Sequence, residues 1–250
     1  MQFVDVSKEE QVATVVLSRG KVNALNEDLV NELGTCFAEL IDDDDVKAVI
    51  LTGRGKFFSF GFDIPEFLPY TKEAFAGFLK KFTDLYTDIF LFPKPVVAAL
   101  NGHSIAGGCM FATACDCRIM AEGRAKISLN EIVLGATVLA GAVEILKACV
   151  GHKNAETILY SGFMYTAEEA LALGSIHQKT SEENLYPGAK RIAREFAQTD
   201  PAAFRSIKLL LRKPLADQFV PGEEQSISQF VDIWYSESTR KQLEQIKIMR

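Results

Sequence analysis

Glu131 stands between the alternating run Lys126-Ile127-Ser128-Leu129-Asn130 and the apolar Ile132-Val133-Leu134, closed by Gly135. A carboxylate among apolar neighbours loses hydration, which raises its pKa and makes it a stronger base toward a substrate that shuts out water. An exposed loop glutamate, the usual fate of this residue type, fits the same string. Two glycine-bearing turns are the other candidates for chemistry: Phe57-Phe58-Ser59-Phe60-Gly61-Phe62-Asp63 and Asn101-Gly102-His103-Ser104-Ile105-Ala106-Gly107-Gly108-Cys109. Glycine lets backbone N–H groups turn toward a ligand, and a helix that follows adds its positive N-terminal end, so each turn can offer donors to an oxyanion. Taken singly, each also reads as a plain strand-to-helix turn.

Other chemistries fail on residue type. Gly102 and Gly107 have the spacing of a phosphate loop, but Gly108-Cys109 replaces the Lys-Ser/Thr pair that must reach the phosphates and magnesium. Gly102-His103-Ser104-Ile105-Ala106 approaches a nucleophile elbow with Ala106 in place of the last glycine, and a serine hydrolase would have only His103, His152 and His177 to draw a base from. Those histidines stand far apart without HExxH spacing, and Asp42-Asp43-Asp44-Asp45 reads as a solvated helix terminator, so no metal site is expected. Cys36, Cys109, Cys115, Cys117 and Cys149 are an odd number in apolar surroundings, and Cys115-Asp116-Cys117 is not a CxxC pair. Buried thiols in a reducing cytosol or organelle matrix are expected.

The elements that must position these residues follow from periodicity. Val12–Leu17, Val46–Thr52, Val96–Leu100 and Cys117–Met120 are short β-branched or apolar runs, and three near-continuous apolar strands with helices between them predict a buried α/β sheet. Asn26 is placed to cap a helix whose Leu29, Val30, Leu33, Phe37 and Leu40 share a face, and Phe75, Phe78 and Phe82 predict a second buried helix face. From about Ala142 the chain turns helical: 154–160, then 166–173 behind the capping box Thr166-Ala167-Glu168-Glu169, then roughly 182–198, 201–212 and 222–248, the last broken near Ser236. Phe230, Ile233 and Trp234 form an apolar side that suits either the chain's own core or a neighbouring subunit.

With 250 residues, 48% hydrophobic and 24% charged, the chain has the composition of a folded globule of one large domain or a compact domain with a small appendage. A formal charge of −6 with pI near 5.3 excludes a global positive field for nucleic acid or an anionic membrane, so an anionic ligand must be held locally. The apolar stretches fall well short of ~18 residues, and neither a transmembrane span nor a secretion signal is expected.

Taken together, Val22-Asn23-Ala24-Leu25-Asn26, Phe58-Ser59-Phe60-Gly61-Phe62-Asp63-Ile64, Lys94-Pro95-Val96-Val97-Ala98-Ala99-Leu100-Asn101-Gly102, Ala106-Gly107-Gly108-Cys109, Cys115-Asp116-Cys117-Arg118-Ile119 and Leu134-Gly135 make the chain resemble the crotonase, or enoyl-CoA hydratase/isomerase, superfamily from about Val12 to Arg212. The resemblance implies an α/β fold, a spiral of ββα units over residues 1–195, with a helical region over 196–250 that builds trimers or pairs of trimers. It implies that the N–H groups of Phe62 and Gly107 form an oxyanion hole for an acyl-CoA thioester and that Glu131 is the catalytic carboxylate. Ala24, Ser59, Phe60, Gly61, Phe67, Gly108, Met110 and Leu139 would line the path of the coenzyme A and acyl groups, with Lys56 a candidate for a phosphate contact. Coenzyme A enters as part of the substrate, and no separate cofactor is implied.

Hydratases of the family carry a second glutamate where this chain has Met110, and dienoyl isomerases and a dehalogenase carry an aspartate where it has Leu139. One base with an oxyanion hole suffices for a proton shuttle, and Ala106-Gly107-Gly108-Cys109, Cys115-Asp116-Cys117-Arg118-Ile119-Met120-Ala121 and Leu129-Asn130-Glu131 make the chain resemble the Δ3,Δ2-enoyl-CoA isomerase group in detail. A hydratase, another acyl-CoA-transforming member, or a catalytically idle CoA-binding or assembly protein are the alternatives. Phe60 and Phe62 are bulkier than the family's usual residues, and Phe62 and Phe67 are the expected acyl-pocket aromatics.

Overall fold

The computed structural model describes residues 1–248. Its strands are β1 (Val4–Glu9), β2 (Val12–Leu17), β3 (Ala48–Gly53), β4 (Phe57–Ser59), β5 (Val96–Leu100), β6 (His103–Ile105), β7 (Cys117–Ala121), β8 (Ile127–Ser128) and β9 (Gln178–Thr180). Its helices are α1 (Glu27–Ile41), α2 (Ile64–Phe67), α3 (Lys72–Leu91), α4 (Gly107–Ala114), α5 (Ala140–Ser161), α6 (Ala167–Leu173), α7 (Glu182–Ala197), α8 (Pro201–Trp234) and α9 (Glu237–Leu243), with a 3-10 turn at Glu131–Leu134. The β1–β2 hairpin opens a six-stranded sheet of order β1-β2-β3-β5-β7-β9, parallel from β2 onward. The short strands β4, β6 and β8 form a second, parallel sheet. Each of the pairs β3/β4, β5/β6 and β7/β8 therefore gives one strand to each sheet before the chain turns helical, which is the expected spiral of ββα units.

Alternation along the strands decides which face meets which layer. Val15, Val49, Leu51, Ala98 and Leu100 point into the main core with α1, α3 and α4, while Val12, Ile50, Val97, Ala99 and Ile119 face α7 through Leu185, Ala189 and Ile192. Burial on both faces explains why these strands read as continuous apolar runs. Asn26 caps α1 by accepting from the Leu29 N–H at 3.0 Å, and Thr166 with Glu169 completes the capping box of α6. Phe75, Phe78 and Phe82 form one buried face of α3.

Two elements differ from expectation. The segment α5 runs from Ala140, earlier than predicted, with non-helical geometry at Gly151. The two predicted helices over 201–212 and 222–248 are one helix to Trp234, which continues through Pro214 and Pro221. Burial of Ala216 and Phe219 outweighs the local preference of proline to interrupt the helix. The expected break near Ser236 is present, with Ser236 capping α9 through the Thr239 N–H. All five cysteines are free thiols, four of them buried. No cluster of potential metal ligands occurs among the described residues, and no helix there is long and apolar enough to cross a membrane.

Candidate active site

The two glycine turns meet at the ends of β4 and β6. Ala106 adopts φ 49° and ψ −120°, a conformation that costs an L-residue of order 1–3 kcal/mol. Its N–H donates to Ser128 O at 2.8 Å and its carbonyl accepts from the Met110 N–H at 3.0 Å, which holds the turn from both sides. Gly61 lies against it at φ +82°; a Cβ there would sit 2.9 Å from both Ala106 Cβ and Ile105 O, so only glycine fits. On the other turn, Leu25 N–H donates to Gly61 O at 2.7 Å and Asp63 N–H to Leu25 O at 2.9 Å, bracketing Phe62. The N–H groups of Phe62 and Gly107 have no hydrogen-bond partner among the described residues. Two free donors on adjoining turns, one of them opening helix α4, are an arrangement that can hold a developing oxyanion.

Buried and half-buried polar residues fix these turns, among them Arg19 and Glu66, which the sequence did not single out. Arg19 donates to Ala24 O at 2.9 Å and to Asp63 Oδ2 at 2.7 Å, and pairs with Glu66, which in turn accepts from Asn26 Nδ2 at 2.9 Å. Asn23 Nδ2 donates to Phe57 O at 2.9 Å, and the Ser59 hydroxyl donates to Asn23 O at 2.8 Å while accepting from the Gly61 N–H. At the far end of α4, Arg118 donates to the carbonyls of Thr113 and Cys115, and Arg212 to those of Ala114 and Cys115, so that two guanidinium groups satisfy the helix's last carbonyls. Cys115-Asp116-Cys117-Arg118 was visible as a string; its partner Arg212, about a hundred residues on, was not.

Glu131 opens the 3-10 turn that Gly135 closes in the left-handed conformation. It is 6% exposed, and its Oε2 has no hydrogen-bond partner among the described residues. Burial pushes its carboxyl up to about 8, countered only by a hydrogen bond with its own backbone. It faces a cavity of about 170 Å³ shared with Phe60, Phe62, Ala106, Phe230 and Trp234, and further walled by Ile246 and Ile248. The C-terminal segment is held over this cavity: Thr239 Oγ1 donates to Gly135 O at 2.8 Å and Arg240 to Leu68 O at 2.9 Å.

Of the residues singled out in the sequence, Glu131, Phe60, Phe62 and the Ala106–Gly107 turn come together here. Gly61 and Gly108 serve the turns, Gly108 lying so close to Ser59 that a Cβ would meet Ser59 O at 2.6 Å. Ala24 is buried, its carbonyl accepting from Arg19, and Ser59 spends its hydroxyl on the loop backbone. Lys56 is exposed on the turn before β4. Phe67, expected at the pocket, is instead in the aromatic core, with its ring 4.2 Å from that of Phe78. Met110 and Leu139 are likewise core residues off the cavity wall. The Ser104 hydroxyl donates to Gly108 O at 3.2 Å rather than to a histidine.

The chain matches the enoyl-CoA hydratase/isomerase family over residues 7–247 and belongs to it. It is 35% identical to the short-chain-enoyl-CoA hydratase of Clostridium acetobutylicum over 84% of this chain and 81% of that protein. It is 30% identical to the human mitochondrial enoyl-CoA delta isomerase 1 over 93% of this chain and 78% of that protein. A crystal structure of human mitochondrial delta3-delta2-enoyl-CoA isomerase superposes with a TM-score of 0.93 at 29% identity, covering 97% of this chain and 96% of that one. The chain is thus an enzyme of this family with the crotonase fold.

Proposed function

We propose that the protein is a Δ3,Δ2-enoyl-CoA isomerase that converts a 3-enoyl-CoA to the 2-trans-enoyl-CoA. The observation that carries this reading is a single buried carboxyl, Glu131, facing the same cavity as the oxyanion turns with no second carboxylate among the residues that line it. The thioester oxygen accepts from the Phe62 and Gly107 N–H groups while the Glu131 carboxylate removes a proton from C2. The electron pair left at C2 delocalises into the thioester as a dienolate. Glu131 then returns its proton at C4, and the double bond comes to rest between C2 and C3. Adding water across a double bond calls in addition for a second acid–base group that positions and activates that water, and beside Glu131 the described residues of the wall have only the neutral amide of Asn130 and the indole of Trp234 as polar side chains.

Ala24, Ser59, Phe60, Gly61 and Gly108 mark the coenzyme A side of the site in this reading, with Lys56 beyond them near a phosphate, and coenzyme A is consumed by no step. The same family reading makes the protein a homotrimer or a pair of trimers. An exposed apolar stripe on α8, described below, supports it.

Both reactions followed on one preparation test the proposal: gain of conjugated enoyl-thioester absorbance from 3-enoyl-CoA, and its loss from 2-enoyl-CoA. Isomerisation should be much the faster, and Glu131→Gln should cost ~10² to 10⁴ in kcat. Hydration at an equal or greater rate assigns a hydratase instead. Binding of acyl-CoA without either turnover assigns an idle binding protein.

A further inference from the structure

Trp234, at the end of α8, is 3% exposed, and its indole N–H is buried without a hydrogen-bond partner among the described residues. Its residue lines the cavity that holds Glu131. The aromatic rings give its place along that cavity. The Phe62 ring lies 6.4 Å from that of Phe230, and Phe230 stacks on Trp234 at 5.9 Å, so Trp234 stands one ring beyond Phe230 from the oxyanion turn. The same wall carries the side-chain acceptors of Asn130 and Glu131, and the indole N–H pairs with neither. A buried Trp N–H ordinarily finds a partner, and one left unpaired is costly. A bare alkyl tail filling this end of the cavity would leave it unpaired.

We propose that Trp234 recognises a hydrogen-bond acceptor, such as an oxo or ether oxygen, carried on the acyl chain beyond its reacting carbons. The proposal rests on the acyl-CoA reading of the cavity and not on the isomerisation itself. An acceptor on the chain pairs the indole N–H on binding, whereas a methylene at the same place leaves it unpaired. The preferred substrates are therefore oxygen-bearing acyl thioesters rather than plain hydrocarbon ones, selected by one neutral hydrogen bond. The carboxyl of a dicarboxylate is disfavoured, because its charge would be desolvated in a wall without a cation.

Trp234 is the only tryptophan in the chain, so its indole gives one unambiguous proton resonance in the 15N-labelled protein. The intact protein is titrated with hexanoyl-CoA, 4-oxohexanoyl-CoA and 5-oxohexanoyl-CoA, none of which has a double bond to move. At least one oxo thioester should bind about three- to ten-fold more tightly than hexanoyl-CoA and move the indole proton downfield, which hexanoyl-CoA should not do. Trp234→Phe should abolish the difference in affinity. Saturable hexanoyl-CoA binding with no oxo preference and no downfield shift overturns this proposal alone, as does a preference that survives in Trp234→Phe. Failure of all three thioesters to bind overturns it together with the acyl-CoA reading.

Discussion

Glu131 is held where ionisation is disfavoured, and its two protonation states pull activity and stability in opposite directions. Burial moves its carboxyl from an ordinary value of 4.5 up to about 8, so the carboxylate that can accept a proton grows as pH rises toward and past that value. Under the proposed shuttle, kcat/KM for 3-enoyl-CoA should rise with pH and level off above about 8; a flat profile from pH 5 to 9 would remove Glu131 as the base. Between pH 4.5 and 8 the folded chain holds a proton that the unfolded chain has released, so stability falls across this window as pH rises, by about 1.4 kcal/mol per pH unit at most. Glu131→Gln stays neutral throughout. It should therefore be more stable than the parent at pH 8, with the difference shrinking toward zero below pH 4.5, as read by urea denaturation across that range. Site and stability conflict at this residue, as they do at Ala106, whose strained backbone aims the Gly107 N–H.

At the scale of elements, α4 is the helix on which the site depends. It is buried along its whole length, its first N–H has no hydrogen-bond partner among the described residues, and its last carbonyls are taken by Arg118 and Arg212. Arg212 reaches it from α8 and also pairs with Asp116 at 3.1 Å, where Lys208 joins at 2.7 Å. Arg212→Gln should leave the Ala114 and Cys115 carbonyls short of donors and destabilise the fold by about 2 kcal/mol. Arg212→Lys keeps the charge without the fork and should fall between the two. Thermal denaturation of both variants checks the order, and an Arg212→Gln protein as stable as the parent would mean that water or Arg118 alone suffices.

For the whole molecule, the unpartnered surface of α8 carries the prediction. Ile207, Leu210 and Leu211 are 58%, 75% and 74% exposed and fall at i, i+3 and i+4, one apolar stripe on a helix whose opposite side packs on α3 and α5. If a second copy covers this stripe in the proposed trimer, Leu210→Glu combined with Leu211→Lys should lower the molecular mass seen in sedimentation while leaving circular dichroism intact. A parent that sediments as a monomer would refute the assembly outright. The inner side of α8 is committed to this chain: Phe230 and Trp234 join Phe75 in its core, with the Trp234 and Phe75 rings 4.6 Å apart, while Ile233 remains partly outside.

The residue strings by themselves determined the buried parallel sheet, because strands covered on both faces must be apolar at nearly every position. They determined the caps at Asn26 and Thr166, whose bonds are local, and they marked the two glycine turns and Glu131 as candidates, whose roles came from the family resemblance rather than from the strings alone. Only the tertiary structure decided that Glu131 is buried rather than exposed, since its cavity is closed by Phe230, Trp234, Ile246 and Ile248 from the opposite end of the chain. It also decided that Phe67 belongs to the core while Phe62 reaches the cavity, and that residues 213–221 are helical despite two prolines. No local period encodes those outcomes. They are set by contacts between segments far apart in sequence, in which burial outweighs local preference and a polar atom without a partner becomes visible only when every neighbour is in place.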